Sequence, residues 1–154
     1  MAGQVEKRLA DAGVKLPAAA APAGNYVPAV VTGNLVFMAG QLPNRDGKLA
    51  VKGKLGADVT IEQGYEAAKI CAANILAQLK VAIGDLDRVR RCVRVGGFVN
   101  GTPEFADQPK VANGASDLFA LAFGDAGRHA RTTVGVAALP AGAAVEIEAT
   151  FEIS

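Results

Sequence analysis

The sequence predicts an α+β fold in the order β-β-β-α-β-α-β-β, one mixed sheet covered on one face by two long helices. Three observations predict it. A capped amphipathic segment runs from about Ile61 to Ile83, a Gly33-Asn34 turn separates two short apolar runs, and Val145 to Ile153 alternates strictly between apolar and polar residues.

Taken in order, Val5 to Val14 reads as a short helix, with Val5, Leu9 and Ala12 on one side and Glu6, Lys7 and Asp11 on the other. Pro17 to Gly24 is a run of small residues with two prolines, which has little to bury and stops any helix. Residues 1–24 are therefore read as an appended helix and Ala/Pro-rich linker, and residues 25–154 as the domain. Tyr26–Thr32 and Leu35–Ala39 form a hairpin, because Gly-Asn supplies the positive φ that a two-residue turn requires. Asn44-Arg-Asp-Gly47 signals a second turn before a weaker strand, Lys48–Val51.

The long helix carries a capping box, Thr60 with Gln63, and a stripe of Ile61, Tyr65, Ala68, Ala72, Ile75, Leu79 and Ala82. Gly84-Asp85 ends it. Arg88–Val99 follows as a strand in which Gly96-Gly97 marks a bulge or a close backbone approach. A second helix is expected over Pro103–Phe123, with Thr102 as N-cap and a break near Pro109 and Gly114. In the C-terminal strands Val134, Val136 and Ala138 share a face, then Val145, Ile147, Ala149, Phe151 and Ile153 point inward, with Glu146, Glu148 and Glu152 opposite.

Composition bounds the function. The chain has 154 residues, 51% of them hydrophobic, and 16 Lys+Arg against 15 Asp+Glu. A single domain of this length buries roughly two-thirds of its unfolded surface and needs no disulfide or metal to hold it together. The balanced charge argues against nucleic acid and anionic membranes as partners. No run reaches the ~18–20 apolar residues of a membrane span. Glu6 and Asp11 interrupt the N-terminus where a signal peptide would be apolar, so a reducing cytoplasm is the expected compartment. Cys71 and Cys92 lack CxxC spacing and His129 is the single histidine, so a structural zinc is not expected. No phosphate-loop, dinucleotide or zinc-protease motif is present, and no cofactor is implied.

Period-two geometry puts Arg131 and Thr133 on one strand face, and Glu146 and Glu148 point away from their own strand's apolar side. An arginine and a carboxylate can thereby meet on one sheet face, as a site or as a plain cross-strand salt bridge. His129 can serve as acid or base near neutrality, or be an ordinary surface residue. Arg88, Arg90 and Arg94, sharing a strand face, and Arg91 form the one basic cluster, without the aromatics of a stacking platform. Cys71 reads as core.

The stretch Ala130-Arg-Thr-Thr-Val134 through Leu139-Pro-Ala-Gly142 to Val145-Glu-Ile-Glu-Ala149 resembles the signature of the Rid family, also called YjgF-like or L-PSP endoribonuclease-like. Gly40-Gln-Leu-Pro43, Ala73-Asn-Ile-Leu76 and Val111-Ala-Asn113 before Phe119 extend the resemblance over residues 26 to 153. It implies a chorismate-mutase-like fold assembled as a homotrimer, with clefts between subunits. It further implies cofactor-independent hydrolysis of enamines and imines such as 2-aminoacrylate, giving a 2-keto acid and ammonia.

By position, Arg131 is implied to hold the substrate carboxylate and Glu146 to place or activate water. Tyr26, Gly40, Asn113 and Thr133 are implied to line the cleft, with His129 beside them. Three departures stand out. His129 replaces a proline, Ala39 replaces a serine or threonine, and the N-terminal segment is extra, as in a longer subgroup. A non-catalytic module sensing a small carboxylate is the alternative function. Ribonuclease activity, which needs an RNA groove, ranks last.

Overall fold

The computed structural model describes residues 3–154. Its elements are α1 (Gln4–Asp11), β1 (Ala29–Thr32), β2 (Leu35–Gln41), β3 (Asn44–Arg45), β4 (Lys48–Leu49), α2 (Ile61–Ile83), β5 (Val89–Asn100), α3 (Gln108–Phe123), β6 (Ala130–Val136) and β7 (Val145–Ile153). Five strands make one mixed sheet, ordered β1-β2-β7-β5-β6. β5 and β6 run parallel and the other pairs antiparallel. This is the expected α+β architecture, with α2 and α3 on one face.

The third strand differs from expectation. It stops at Leu49 and pairs only with β3, in a ribbon separate from the sheet. Asp46 at φ 54° and Gly47 at φ 75° make the two-residue turn that joins the pair. The first strand also begins later, at Ala29, and leaves Tyr26 in a loop. Pro28 has no N–H to give a ladder, although its carbonyl accepts from the Ala39 amide at 2.9 Å.

The long helix matches the expected bounds and cap, although Ala82 of the expected stripe is exposed and Ile83 is buried instead. The Thr60 hydroxyl accepts from the Gln63 amide at 3.1 Å, and the Gln63 side chain accepts from the Thr60 amide at 2.9 Å. Ala68, Ala72, Ile75 and Leu79 are fully buried against the sheet's inner face, where β7 alternates as its sequence requires. The rings of Phe119 and Phe123 pack edge-on to Phe151, with centroids 5.6 and 5.9 Å away.

The second helix is shorter than expected. It begins at Gln108, and Pro109 occupies its first turn, where a missing N–H costs nothing. Gly114 does not break it. A side chain there would collide with the carbonyl of Tyr65 and reach the Ala68 methyl at 3.2 Å, so this glycine lets α3 lie directly on α2. Gly96 and Gly97 mark close approaches, to the Glu148 carboxylate and the Ala112 methyl, while the irregularities of β5 fall earlier, between Val89 and Arg94. Of the basic cluster, Arg91 and Arg94 stand opposite Glu152 and Thr150, and Arg88 leaves the expected strand face. Arg88 precedes the strand and donates to the carbonyls of Ile83 and Ser154 at 2.9 and 2.8 Å.

The first helix is part of the core. Val5 and Leu9 are buried in the same cluster as the sheet and helix residues. Its N-terminus is held by Asp87, whose carboxylate accepts from the amides of Gln4 and Val5, both at 2.9 Å. The Val5 and Gln4 amides hold the Asp87 carboxyl below its ordinary value of 3.8. Asp87→Ala is expected to lower stability at pH 7 by about 1 kcal/mol, a melting shift of about 2–4 °C. A depressed acid stabilises above its unfolded pKa and stops doing so as pH falls through its folded one. The difference between wild type and variant in thermal denaturation should therefore shrink below pH 3.8.

Candidate active site

The sequence-derived residues fall into two groups on opposite faces of the sheet. Arg131 pairs with Val95, which pairs with Ala149, and this row faces the helices. Glu146 pairs with Phe98, which pairs with Val134, and this row faces away from them. The expected meeting of Arg131 and Glu146 on one face is therefore corrected within a single chain. On β6 the polar residues Arg131 and Thr133 turn toward α3 while Val134, 41% exposed, turns outward. An edge strand flanked by a helix with polar residues at its rim can bury its polar side there.

The first group gathers between α3 and β6. Arg131 Nη1 donates to Asn113 Oδ1 at 2.9 Å and to Ser116 Oγ at 3.0 Å, and Nη2 approaches the Pro109 carbonyl at 3.4 Å. Asn113 and Ser116 are three apart on α3 and so share a face. These contacts leave donors of the five on the guanidinium for a ligand. His129 Nε2 lies 2.8 Å from Ser116 Oγ, and Nδ1 lies 2.7 Å from the Gly127 carbonyl oxygen. Burial pushes the pKa of His129 below 6.5; the charge of Arg131 adds to that and the Gly127 carbonyl opposes it. Asn113, Ser116, His129 and Arg131 line a hollow of about 320 Å³. Thr133 adjoins it on the strand, and its buried hydroxyl has no hydrogen-bond partner among the described residues.

The second group gathers on the outer face and around the β1–β2 end. Gly40 sits where the β2–β7 register shifts, between Met38 and Gln41, and a methyl there would come within 2.8 Å of Glu146 Oε2. The backbone of β2 thus forms one wall of the Glu146 carboxylate's surroundings. Burial, then the charge of Glu148, raises the Glu146 pKa above 4.5. Tyr26 and Gly40 line a second hollow of about 90 Å³, walled by Ala20 to Ala23 of the linker. Buried Gln78 donates to the Ala20 carbonyl and fixes that wall.

Ser116 was not singled out by sequence reasoning, although its spacing from Asn113 on a helix was legible. The linker wall left no sequence signal, since a run of alanine and proline says nothing of what it covers. Cys71 is core, fully buried with its thiol raised well above 9.0 by burial, the charge of Glu146 adding to it. Among the described residues no group of three or more His, Cys, Asp or Glu is arranged to hold a metal ion. No helix among them is long and apolar enough to cross a membrane.

Residues 6–148 match the family described as "YjgF/chorismate mutase-like, putative endoribonuclease". The chain belongs to this YjgF-like family. It is 50% identical over 153 residues to Protein TCP17 of Trypanosoma cruzi, covering 99% of this chain and 96% of that protein. A crystal structure of a protein of unknown function from Agrobacterium tumefaciens superposes with a TM-score of 0.91 at 50% identity, covering 97% and 92% of the two chains. RidA from a Psychrobacter species superposes with a TM-score of 0.63 at 27% identity, covering 88% and 94%. The YjgF-like fold therefore holds over the whole sheet and both long helices.

Proposed function

We propose that this YjgF-like protein hydrolyses reactive enamines and imines of the 2-aminoacrylate type to a 2-keto acid and ammonia, without a cofactor, at clefts between the subunits of a homotrimer. The observation that carries the reading is the division of the site. A cation braced for a carboxylate stands on one face of the sheet and a carboxylate with raised proton affinity on the other. Only juxtaposed copies of the chain can bring the two into one cleft. The outer face suits such contact, since Val30, Phe37 and Val134 are 51, 47 and 41% exposed there.

The chemistry asks little of the protein. An imine carbon is already electrophilic, so Arg131 needs to bind the carboxylate through its planar fork while Glu146 of a neighbouring copy takes a proton from the attacking water. Asn113 orients the guanidinium, Gly40 allows close approach beside Glu146, and Tyr26 and Thr133 complete the walls. A cytoplasmic site of action is consistent with two free, buried thiols, Cys71 and Cys92.

The test is ammonia and keto-acid release from 2-aminoacrylate generated in place by a dehydratase, measured above the enzyme-free background. Wild type should exceed background, and Glu146→Gln should lose about 10²-fold or more in kcat while still binding a 2-keto acid. Because the Glu146 pKa is raised, and a base acts only when deprotonated, the acid limb of turnover should lie above pH 4.5. Light scattering should give three times the chain mass of 15.7 kDa; a single-chain mass would remove the interfacial cleft.

A second reading, a non-catalytic carboxylate-binding module, is favoured by Ala39, which lacks the hydroxyl expected before Gly40-Gln41. Binding that survives Glu146→Gln with no turnover in wild type would establish it. Endoribonuclease activity stands last, because a net charge of +1 supplies little attraction for RNA.

A further inference from the structure

We propose that Ser116 and His129 form a two-residue proton relay into the carboxylate site at Arg131, Ser116 touching the bound imine and His129 holding the proton. The proposal rests on the imine-hydrolase reading above and adds to it the group that serves the nitrogen.

The direction of each hydrogen bond follows from chemistry. The Gly127 carbonyl can only accept, so His129 Nδ1, 2.7 Å away, carries a proton. In neutral imidazole the other nitrogen is then an acceptor, and Ser116 Oγ, 2.8 Å from Nε2, donates to it. Arg131 has no acceptor, so its Nη1 donates to the same Oγ at 3.0 Å. The chain therefore runs from Arg131 through Ser116 and His129 to Gly127 with every proton assigned. The Phe119 ring stands nearly perpendicular to the imidazole, 87° at a centroid distance of 6.0 Å, and holds its plane.

A carboxylate on Arg131 reverses the middle of this chain. It offsets the positive charge that disfavours imidazolium at His129. The other charged groups lining the hollow are Arg128 and Asp117, and the Asp117 carboxylate already accepts from the Tyr65 hydroxyl at 2.6 Å. Once His129 is protonated, both its Nε2 and Arg131 Nη1 donate to the two lone pairs of Ser116 Oγ. The serine hydrogen is then released toward the ligand.

The steps balance. Water adds to the imine carbon as Glu146 takes one of its protons, the C=N π pair moves to nitrogen, and nitrogen takes the Ser116 hydrogen. Ser116 is replenished from His129 Nε2. In the resulting carbinolamine, the proton on Glu146 passes to nitrogen, the C–N bond breaks, ammonia leaves, and the hydroxyl proton returns through Ser116 to His129. Nothing is oxidised or reduced, and both residues end as they began.

His129 is the one histidine of the chain, so its imidazole gives a single NMR titration curve in the wild-type protein. Saturating pyruvate, a 2-keto acid, should raise the pKa of His129 in wild type and leave it unmoved in Arg131→Ala. With 2-aminoacrylate, Ser116→Ala and His129→Gln should each lose about 10²-fold in kcat with KM little changed, and should lose the alkaline limb of the pH profile. A His129 titration unmoved by pyruvate overturns the relay, as does an alkaline limb retained in both variants of an active enzyme. A wild type without turnover overturns the hydrolase reading and the relay's catalytic role together, a distinct result from active enzyme with unaltered variants.

Discussion

Arg131→Ala is expected to lower kcat/KM for 2-aminoacrylate by about 10²-fold or more and to abolish measurable 2-keto acid binding. Charge-assisted hydrogen bonds of the kind a guanidinium makes to a carboxylate are worth about 1.5–3 kcal/mol each, and 2.8 kcal/mol is about 10²-fold. The loss should appear chiefly in KM, because the carboxylate anchors the substrate in ground and transition states alike. Arg131→Lys should recover little, since an ammonium lacks the planar fork that donates to both oxygens of a carboxylate. Unchanged kinetics in Arg131→Ala, with the protein folded by circular dichroism, would remove the carboxylate anchor from the proposal.

The second large effect is on stability. Gly114→Ala places a methyl group against the Tyr65 carbonyl at the α2–α3 crossing. Alanine gains roughly 1 kcal/mol over glycine in a helix interior, while forcing apart a close-packed backbone contact costs about 3 kcal/mol or more. Net destabilisation of about 2 kcal/mol should lower the melting temperature by about 4–8 °C. The displaced helix carries Asn113 and Ser116, so KM should rise as well. An unchanged melting temperature would mean that the helices can part without cost, and the close contact would then have no role in setting the site.

The same glycine shows where sequence reading stops. In the pattern of residues it looks like a helix breaker, because local propensity is all that a one-dimensional reading can weigh. In the fold it is the condition for helix contact, a property of two segments fifty residues apart in the chain. The long helix α2 was legible because its cap, stripe and stop are all local. Strand β7 was legible because alternation is local too, and its buried and half-buried positions follow the sequence residue by residue.

The site was legible in its residue types and illegible in its geometry. Sequence alone determined that Arg131 and Glu146 project from the last two strands of an α+β sheet, since period-two projection needs only the backbone; that β5 lies between those strands was decided by the fold. Sequence could not determine which side of β6 the helices would cover. That depends on the crossover from β5 through α3 to a parallel β6, which turns Arg131 inward against Asn113 and Ser116. Tertiary structure alone also decided that the N-terminal helix joins the core through Val5 and Leu9, capped by Asp87 from more than eighty residues away. A short amphipathic helix shows an apolar face to be buried, but only the packed fold supplies the surface that buries it.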